Sequence, residues 1–310
     1  MEIMLNKFQG SLMGLAIGDA LGAPLEFFKP GTFTEVNDFT GGGMFNTNPG
    51  EFTDDTSLAL CLAESMIRCH GFDPTDQMNT YWKWLSEGYL SSQEKAIGVG
   101  KTTLRALFLY QKSGDPYSSI TNTMSAGNGS IMRLAPIPLF YSNDALNAVE
   151  KSGESSKTTH ALQITTDACR YFGGLIWGAI NGIDKKVLLS ANYSPMNGYW
   201  DNNEMVSEIR EVTSGSFKTK NPPDIKGGGY VVQSLEAALW AFYNSDCYEE
   251  GVLKAVNLGD DADTTGAVFG QLAGAYYGYN NIPKRFIDKI VMKDIILSLS
   301  KELYNINMEI

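Results

Sequence analysis

NLGDDADTTGAVFGQLAGAYYG, Asn257 to Gly278, places Asp260, Asp261 and Asp263 within four residues, adds Thr264 and Thr265, and runs on into an apolar stretch. The apolar residues recur at helical spacing, so the segment reads as a buried helix with like charge crowded at its start. One acidic side chain at a helix start satisfies orphan N–H groups and suits the helix dipole. Three carboxylates there repel one another, so a positive charge or water is expected beside them. An EF-hand is the natural competitor. Counted from Asp261, it puts Asp263 at position 3, Thr265 at 5 and Gly266 at 6, but Leu272 at 12, where a bidentate Glu is required.

Glycine in a helix costs roughly 0.5–1 kcal/mol against alanine. Gly266, Gly270, Gly274 and Gly278 recur every four residues, as do Gly10, Gly14 and Gly18 near the N-terminus. Such stripes predict a helix face pressed closely against another. Helical periodicity also runs through Asn6–Leu21, Thr56–Cys69, Asp76–Leu85, Thr102–Gln111, Asp144–Lys151, His160–Ile180, Tyr230–Tyr243, Tyr248–Val256, Asp263–Tyr277 and Lys293–Tyr304. Alternating strands flanked by hairpin turns are missing. The expectation is a compact all-α bundle, one domain over 1–310, with loops at Pro30–Gly50, Asn192–Gly198 and Thr213–Gly229.

Hydrophobic residues at 43% and charged residues at 19% are enough for a well-buried core. A net charge of −11 argues against a general nucleic-acid or anionic-membrane surface, which needs a basic face. A phosphate-bearing ligand would have to be met by cations or backbone N–H groups. No apolar run is long enough to span a bilayer, and the N-terminal stretch lacks the basic region of a signal peptide. The four cysteines (Cys61, Cys69, Cys169, Cys247) show no metal-binding spacing and read as buried free thiols of a reducing, intracellular (cytoplasmic) protein. With only two histidines, His70 and His160, a His-based zinc site or a Ser-His-Asp triad has little to draw on. A bound metal would be a hard cation held by oxygens.

A second acidic cluster, GEFTDDTSLAL, sets Thr53, Asp54 and Asp55 at the head of another apolar helix. Taken singly it is an N-cap. Taken with Asp261, Asp263 and Thr264 it completes six oxygen ligands, enough to hold two divalent cations. Two glycine-rich segments could cradle phosphates: Ser125-Ala126-Gly127-Asn128-Gly129-Ser130 before an apolar helix, and IGVGKTTLRAL (Ile97–Leu107) with Gly98 and Gly100. The latter is no Walker A loop, because Lys95 stands where its first glycine belongs.

With these motifs in hand, the chain resembles the ADP-ribosylglycohydrolase family, which includes dinitrogenase reductase-activating glycohydrolase and the ADP-ribosylarginine and ADP-ribosylserine hydrolases. GSLMGLAIGDALGAPLEF (Gly10–Phe27), FTDDTSLAL, SAGNGSIMRLAPIPL (Ser125–Leu139), TTHALQ (Thr158–Gln163) and GDDADTTGAVFGQLAGAYYG follow the family's order over nearly the whole chain. The resemblance implies an orthogonal α-helical fold and a centre of two divalent cations, usually Mg²⁺ or Mn²⁺, on Thr53, Asp54, Asp55, Asp261, Asp263 and Thr264. It implies ADP-ribose linked to a protein side chain as substrate and ADP-ribose as product. Ser125, Gly127, Asn128, Gly129, Ser130 and Met132 belong to its ribose- and phosphate-binding loop, His160 to its histidine-bearing helix, and Gly98 and Gly100 to a further binding loop. Glu26 takes the place of its acidic residue near the anomeric carbon, with Asp55 a ligand that also polarises water. Some members carry an aspartate where Gly98 stands here, which weakens transfer of the dinitrogenase-reductase subfamily's mechanism and protein substrate. Arginine is the linkage expected from common members. Serine linkages, small compounds such as O-acetyl-ADP-ribose, and a non-catalytic binding or immunity role are the alternatives.

Overall fold

A computed structural model describes residues 2–309, so the terminal residues of the 1–310 span lie outside the described residues. Among these, fifteen α-helices and no β-strand are found. The first seven are α1 (Glu2–Gly22), α2 (Asp54–Cys69), α3 (Pro74–Glu87), α4 (Lys101–Ser113), α5 (Pro136–Phe140), α6 (Ala145–Lys157) and α7 (Gln163–Ile180). They are followed by α8 (Lys185–Leu188), α9 (Tyr199–Asn202), α10 (Ser207–Thr213), α11 (Val231–Tyr243), α12 (Tyr248–Val256), α13 (Ala262–Tyr277), α14 (Lys284–Ile287) and α15 (Lys293–Glu309).

The two glycine stripes meet. Helices α1 and α13 run antiparallel, with Gly10 against Gly274, Gly14 against Gly270 and Gly18 against Gly266. A Cβ added at any of these six glycines would fall well inside contact distance of a facing backbone carbonyl. Glycine is therefore required by close approach, and its propensity cost is offset by backbone-to-backbone packing. Ser11 adds a hydrogen bond to the Gln271 carbonyl at 2.9 Å, and Tyr248 donates to the Gly14 carbonyl at 2.7 Å. The antiparallel register carries the C-terminal end of α1 to the start of α13, so that Gly22 faces Ala262. The fold thereby delivers the chain after α1 to the acidic segment quoted above.

Other helices wrap this pair and bury a contiguous core that includes Phe8, Phe52, Trp84, Phe172, Phe242 and Phe269. The long segments expected from periodicity all form, most within two residues of the expected ends. Helices α1, α7 and α15 depart by three to five residues at one end, and α6 departs most: periodicity places it at Asp144–Lys151, but it continues to Lys157. Its second half buries Ser152, Gly153, Ser155 and Ser156, small polar residues that an apolar pattern does not register. His160 precedes α7 rather than opening a helix with it. The short helices α5, α8, α9, α10 and α14 were not legible at all. The cysteine expectation needs correcting: all four are free, but only Cys61 and Cys169 are buried, while Cys69 and Cys247 are exposed. Both exposed thiols sit at or beside helix ends, where a terminal turn leaves one side open to water.

Candidate functional site

Asp19, on α1, is fully buried and organises the start of α2. Its Oδ1 accepts from the Thr53 N–H and hydroxyl, both at 2.9 Å. Its Oδ2 accepts from the Thr56 N–H at 3.0 Å and hydroxyl at 2.7 Å. Thr53 holds the N-cap position but makes no capping bond with its own side chain. Asp19 takes over that task, so Asp54 and Asp55 are freed from capping and face inward.

The Thr53 hydroxyl has one proton, which the shortest contact assigns to Asp19. Its oxygen also lies 3.3 Å from Asp55 Oδ2 and 3.3 Å from Asp263 Oδ2. Glu26, Asp261 and Asp263 form a second group, with one carboxylate oxygen from each lying within 4.8 Å of the others. Asp263 belongs to both groups, so the two acidic helix starts do meet. Asp263 Oδ1 accepts from the Thr264 N–H at 2.8 Å, and Asp261 Oδ2 accepts from Asn128 Nδ2 at 2.9 Å. Asp55 Oδ1 and Glu26 Oε2 are buried with no hydrogen-bond partner.

Burial, and then the charges of Asp261, Asp54 and Asp19 against a hydrogen bond with Asp263, push the Glu26 carboxyl up to about 8. Burial followed by the Asp19 charge raises Asp54 to about 8 as well. The same two causes, desolvation and neighbouring carboxylates, hold Asp55 and Asp263 well above the ordinary range. Crowded, dehydrated carboxylates with unpartnered oxygens fit oxygen-preferring divalent cations such as Mg²⁺ or Mn²⁺. The structure thus passes the test that the donor set poses for such ions.

Glu26, Asp54, Asp55, Asp261, Asp263 and Thr264 line a cleft of about 750 Å³. Its walls include Gly98 and Gly100 before α4, Gly127, Asn128 and Gly129, and also Met132 and His160. Gln271 of α13 pins the second of these segments: its side chain donates to the Met132 carbonyl at 2.7 Å and accepts from the Ala135 N–H at 2.7 Å. Gly98 adopts φ +82°, and a Cβ there would lie 2.5 Å from Asp54 Oδ1. Glycine thus suits position 98, where the positive φ and the closeness of Asp54 both disfavour a side chain. Helix α4 has Gly100 as its N-cap and no side-chain cap, so its first N–H groups are available to an anion.

Of the sequence-derived candidates, Thr53, Ser125 and Ser130 do not line the cleft, Thr53 being fully buried behind Asp54 and Asp55. Ser130 lies beneath the cleft, 2% exposed, with its hydroxyl oxygen 2.8 Å from that of Ser156. Asn128 lines the cleft but has committed its amide hydrogens to Asp261 and Ser234. Glu26 is 8% exposed rather than solvent-facing, and its closeness to Asp261 and Asp263 puts it within the acidic cluster. Three groups were missed. Asp19 had a signal, a lone carboxylate inside an otherwise apolar helix. Gln271 had the same kind of signal. Lys95 and Lys101, cations of the cleft wall, were given no role: Lys95 entered only in rejecting a Walker A loop, and Lys101 only as part of the quoted glycine-rich segment.

A family model described as ADP-ribosylglycohydrolase matches residues 1–309. Over 300 residues the chain is 39% identical to the ADP-ribosylarginine hydrolase Tri1 of Serratia proteamaculans (strain 568), covering 97% of this chain and 79% of that protein. It is 29% identical over 295 residues to the ADP-ribosyl-dinitrogen reductase glycohydrolase of Rhodospirillum rubrum, covering 93% and 91%. A solved chain of an ADP-ribosylglycohydrolase-related protein complex matches with a TM-score of 0.86 at 39% identity, covering 99% of this chain and 100% of that one.

Proposed function

This chain belongs to the ADP-ribosylglycohydrolase family, and we propose that it removes ADP-ribose from modified arginine side chains of protein by cleaving the bond at C1″ of the distal ribose. It is a glycohydrolase of ADP-ribosylated substrates; the arginine linkage, the residue roles and the cations are the parts proposed. The observation that carries the reading is the gathering of Glu26, Asp55, Asp261 and Asp263 in the wall of a cleft also lined by two glycine-rich segments. The arginine linkage rests on the 39% identity to a protein named as an ADP-ribosylarginine hydrolase.

In this reading Thr53, Asp54, Asp55, Asp261, Asp263 and Thr264 hold two divalent cations, Mg²⁺ or Mn²⁺. When bound, the cations supply positive charge that keeps the carboxylates ionised and orients ribose hydroxyls beside them. Glu26 accepts a proton from water as the water oxygen bonds to C1″. The C1″–N bond breaks, its electron pair stays on the guanidine nitrogen, and that nitrogen takes up the proton Glu26 received from water, which returns Glu26 to its starting form. Asp55, with one oxygen unpartnered, orients the attacking water. The diphosphate lies against the start of α4 and the Gly127–Gly129 turn, with Lys95 and Lys101 in support. Residues 1–310 act as a single domain in a reducing, cytoplasmic setting, in keeping with four free cysteines. Among the described residues no helix is long and apolar enough to cross a membrane. An ADP-ribosylated protein is the partner as substrate, and the acidic surface makes nucleic acid an unsuited one.

The linkage is tested by offering arginine-modified and serine-modified peptides side by side and measuring free ADP-ribose. Release from the arginine peptide alone is expected. Release from the serine peptide alone would overturn the arginine assignment and leave the hydrolase standing.

A further inference from the structure

Arg133 is fully buried in the segment after the Gly127–Gly129 turn, and among the described residues no carboxylate pairs with it. Its guanidinium stacks over the Tyr81 ring at 4.5 Å. Nη2 donates to the Thr159 hydroxyl at 2.8 Å, whereas Nε and Nη1 have no partner. The Thr159 oxygen lies 2.8 Å from Nδ1 of His160. These two are the contacts of that buried hydroxyl.

A guanidinium can only donate, so Thr159 Oγ1 accepts from Arg133. If His160 Nδ1 also donated to it, the hydroxyl proton would be buried with no acceptor, which costs about 1–3 kcal/mol. If Thr159 donates to Nδ1, both the hydroxyl and Nδ1 are satisfied. The imidazole then carries its proton on Nε2. That nitrogen faces the cleft, beside Gly127 and Gly129: a Cβ added at those positions would lie 3.5 Å and 3.2 Å from it. Glycine at both keeps the imidazole edge open to a ligand.

We infer that Arg133 and Thr159 are positioning residues that hold His160 as the neutral Nε2–H tautomer, so that it presents a hydrogen-bond donor to an oxygen of the bound ADP-ribosyl group. This deepens the function proposed above and rests on it for the identity of the acceptor. Burial, and then the charge of Arg133, lower the His160 pKa to about 3, in keeping with an uncharged ring. The donor is thus fixed in place without a buried charge pointing into the cleft. Ser156 holds the residue from its other side: its hydroxyl donates to the His160 carbonyl at 2.9 Å, and its own carbonyl accepts from the His160 N–H at 2.7 Å.

The test uses the full chain with ¹⁵N-labelled histidine in Mg²⁺ buffer. The sequence has two histidines, and His70 is exposed, so a His70→Gln variant assigns both. The expected spectrum shows His160 as one neutral form protonated at Nε2, read without ligand. Thr159→Val should lose that single form and weaken ADP-ribose binding about fivefold, the value of one neutral hydrogen bond. Thr159→Ser should keep both. A proton on Nδ1, a mixture of tautomers, or a Thr159→Val spectrum like that of the parent would overturn the inference. Should the Nε2–H form be present but ADP-ribose fail to bind, the proposed function falls while the tautomer assignment stands.

Discussion

At Glu26 one carboxylate lies within ligand distance of Asp261 and Asp263 and keeps one oxygen without a partner. Replacing it by glutamine keeps the volume and removes the base. Glu26→Gln should lower ADP-ribose release by about 10²–10⁴-fold, the usual worth of a positioned general base, while ADP-ribose still binds. Unchanged turnover would move the base to Asp55. Gly98 gives a second residue-scale expectation. An aspartate there would need φ +82° and would crowd Asp54, so Gly98→Asp should destabilise the protein by about 1–3 kcal/mol, read by chemical denaturation. Stability equal to the parent would contradict the local account of that glycine. Site residues were legible in sequence where chemistry was dense, as in Thr53–Asp55 and Asp261–Thr264. They were not legible where one residue served another: Asp19 caps α2 in place of Thr53, and Asn128 bonds to Asp261, relations that only the folded chain displays.

Helices α1 and α13 form the element that sets the geometry of the site. Gly270 presses on the Gly14 carbonyl, and neither backbone can yield without moving its helix. Gly270→Ala should therefore cost about 1–3 kcal/mol, as overpacking does, despite alanine's better helix propensity. Because α1 leads into Glu26 and α13 opens at Asp261 and Asp263, the same change should weaken stabilisation by divalent cations. A stabilised Gly270→Ala protein would mean that propensity outweighs packing. That each glycine stripe presses on another helix was legible from its spacing, but that the two stripes press on each other is seen only in the fold. The extent of α6 was not, because its buried face is serine and glycine, which meet Gly173 and Arg170 of α7 without an apolar period. Helices as short as α8 and α14 hold only four residues each, too few to show a period.

For the whole molecule, the acidic cluster links folding to pH. Glu26 and Asp54 rise from ordinary values of 4.5 and 3.8 to about 8 in the fold. Between those limits the folded state binds more protons than the unfolded chain, so the metal-free protein loses stability as pH climbs from about 4 towards 8. Divalent cations take the ionised forms, so the rise in melting temperature on adding Mg²⁺ should be larger at pH 8 than at pH 5.5. A shift independent of pH would argue that cations bind elsewhere. The central claim is that two acidic helix starts, distant in sequence, form one cation-dependent hydrolytic centre. Its most direct test follows ADP-ribose release from an arginine-modified peptide after EDTA and then after return of Mg²⁺ or Mn²⁺, with Asp263→Ala beside the parent. The account predicts release that EDTA abolishes and the cation restores in the parent only. Release that survives EDTA, or an Asp263→Ala protein as active as the parent, would contradict it.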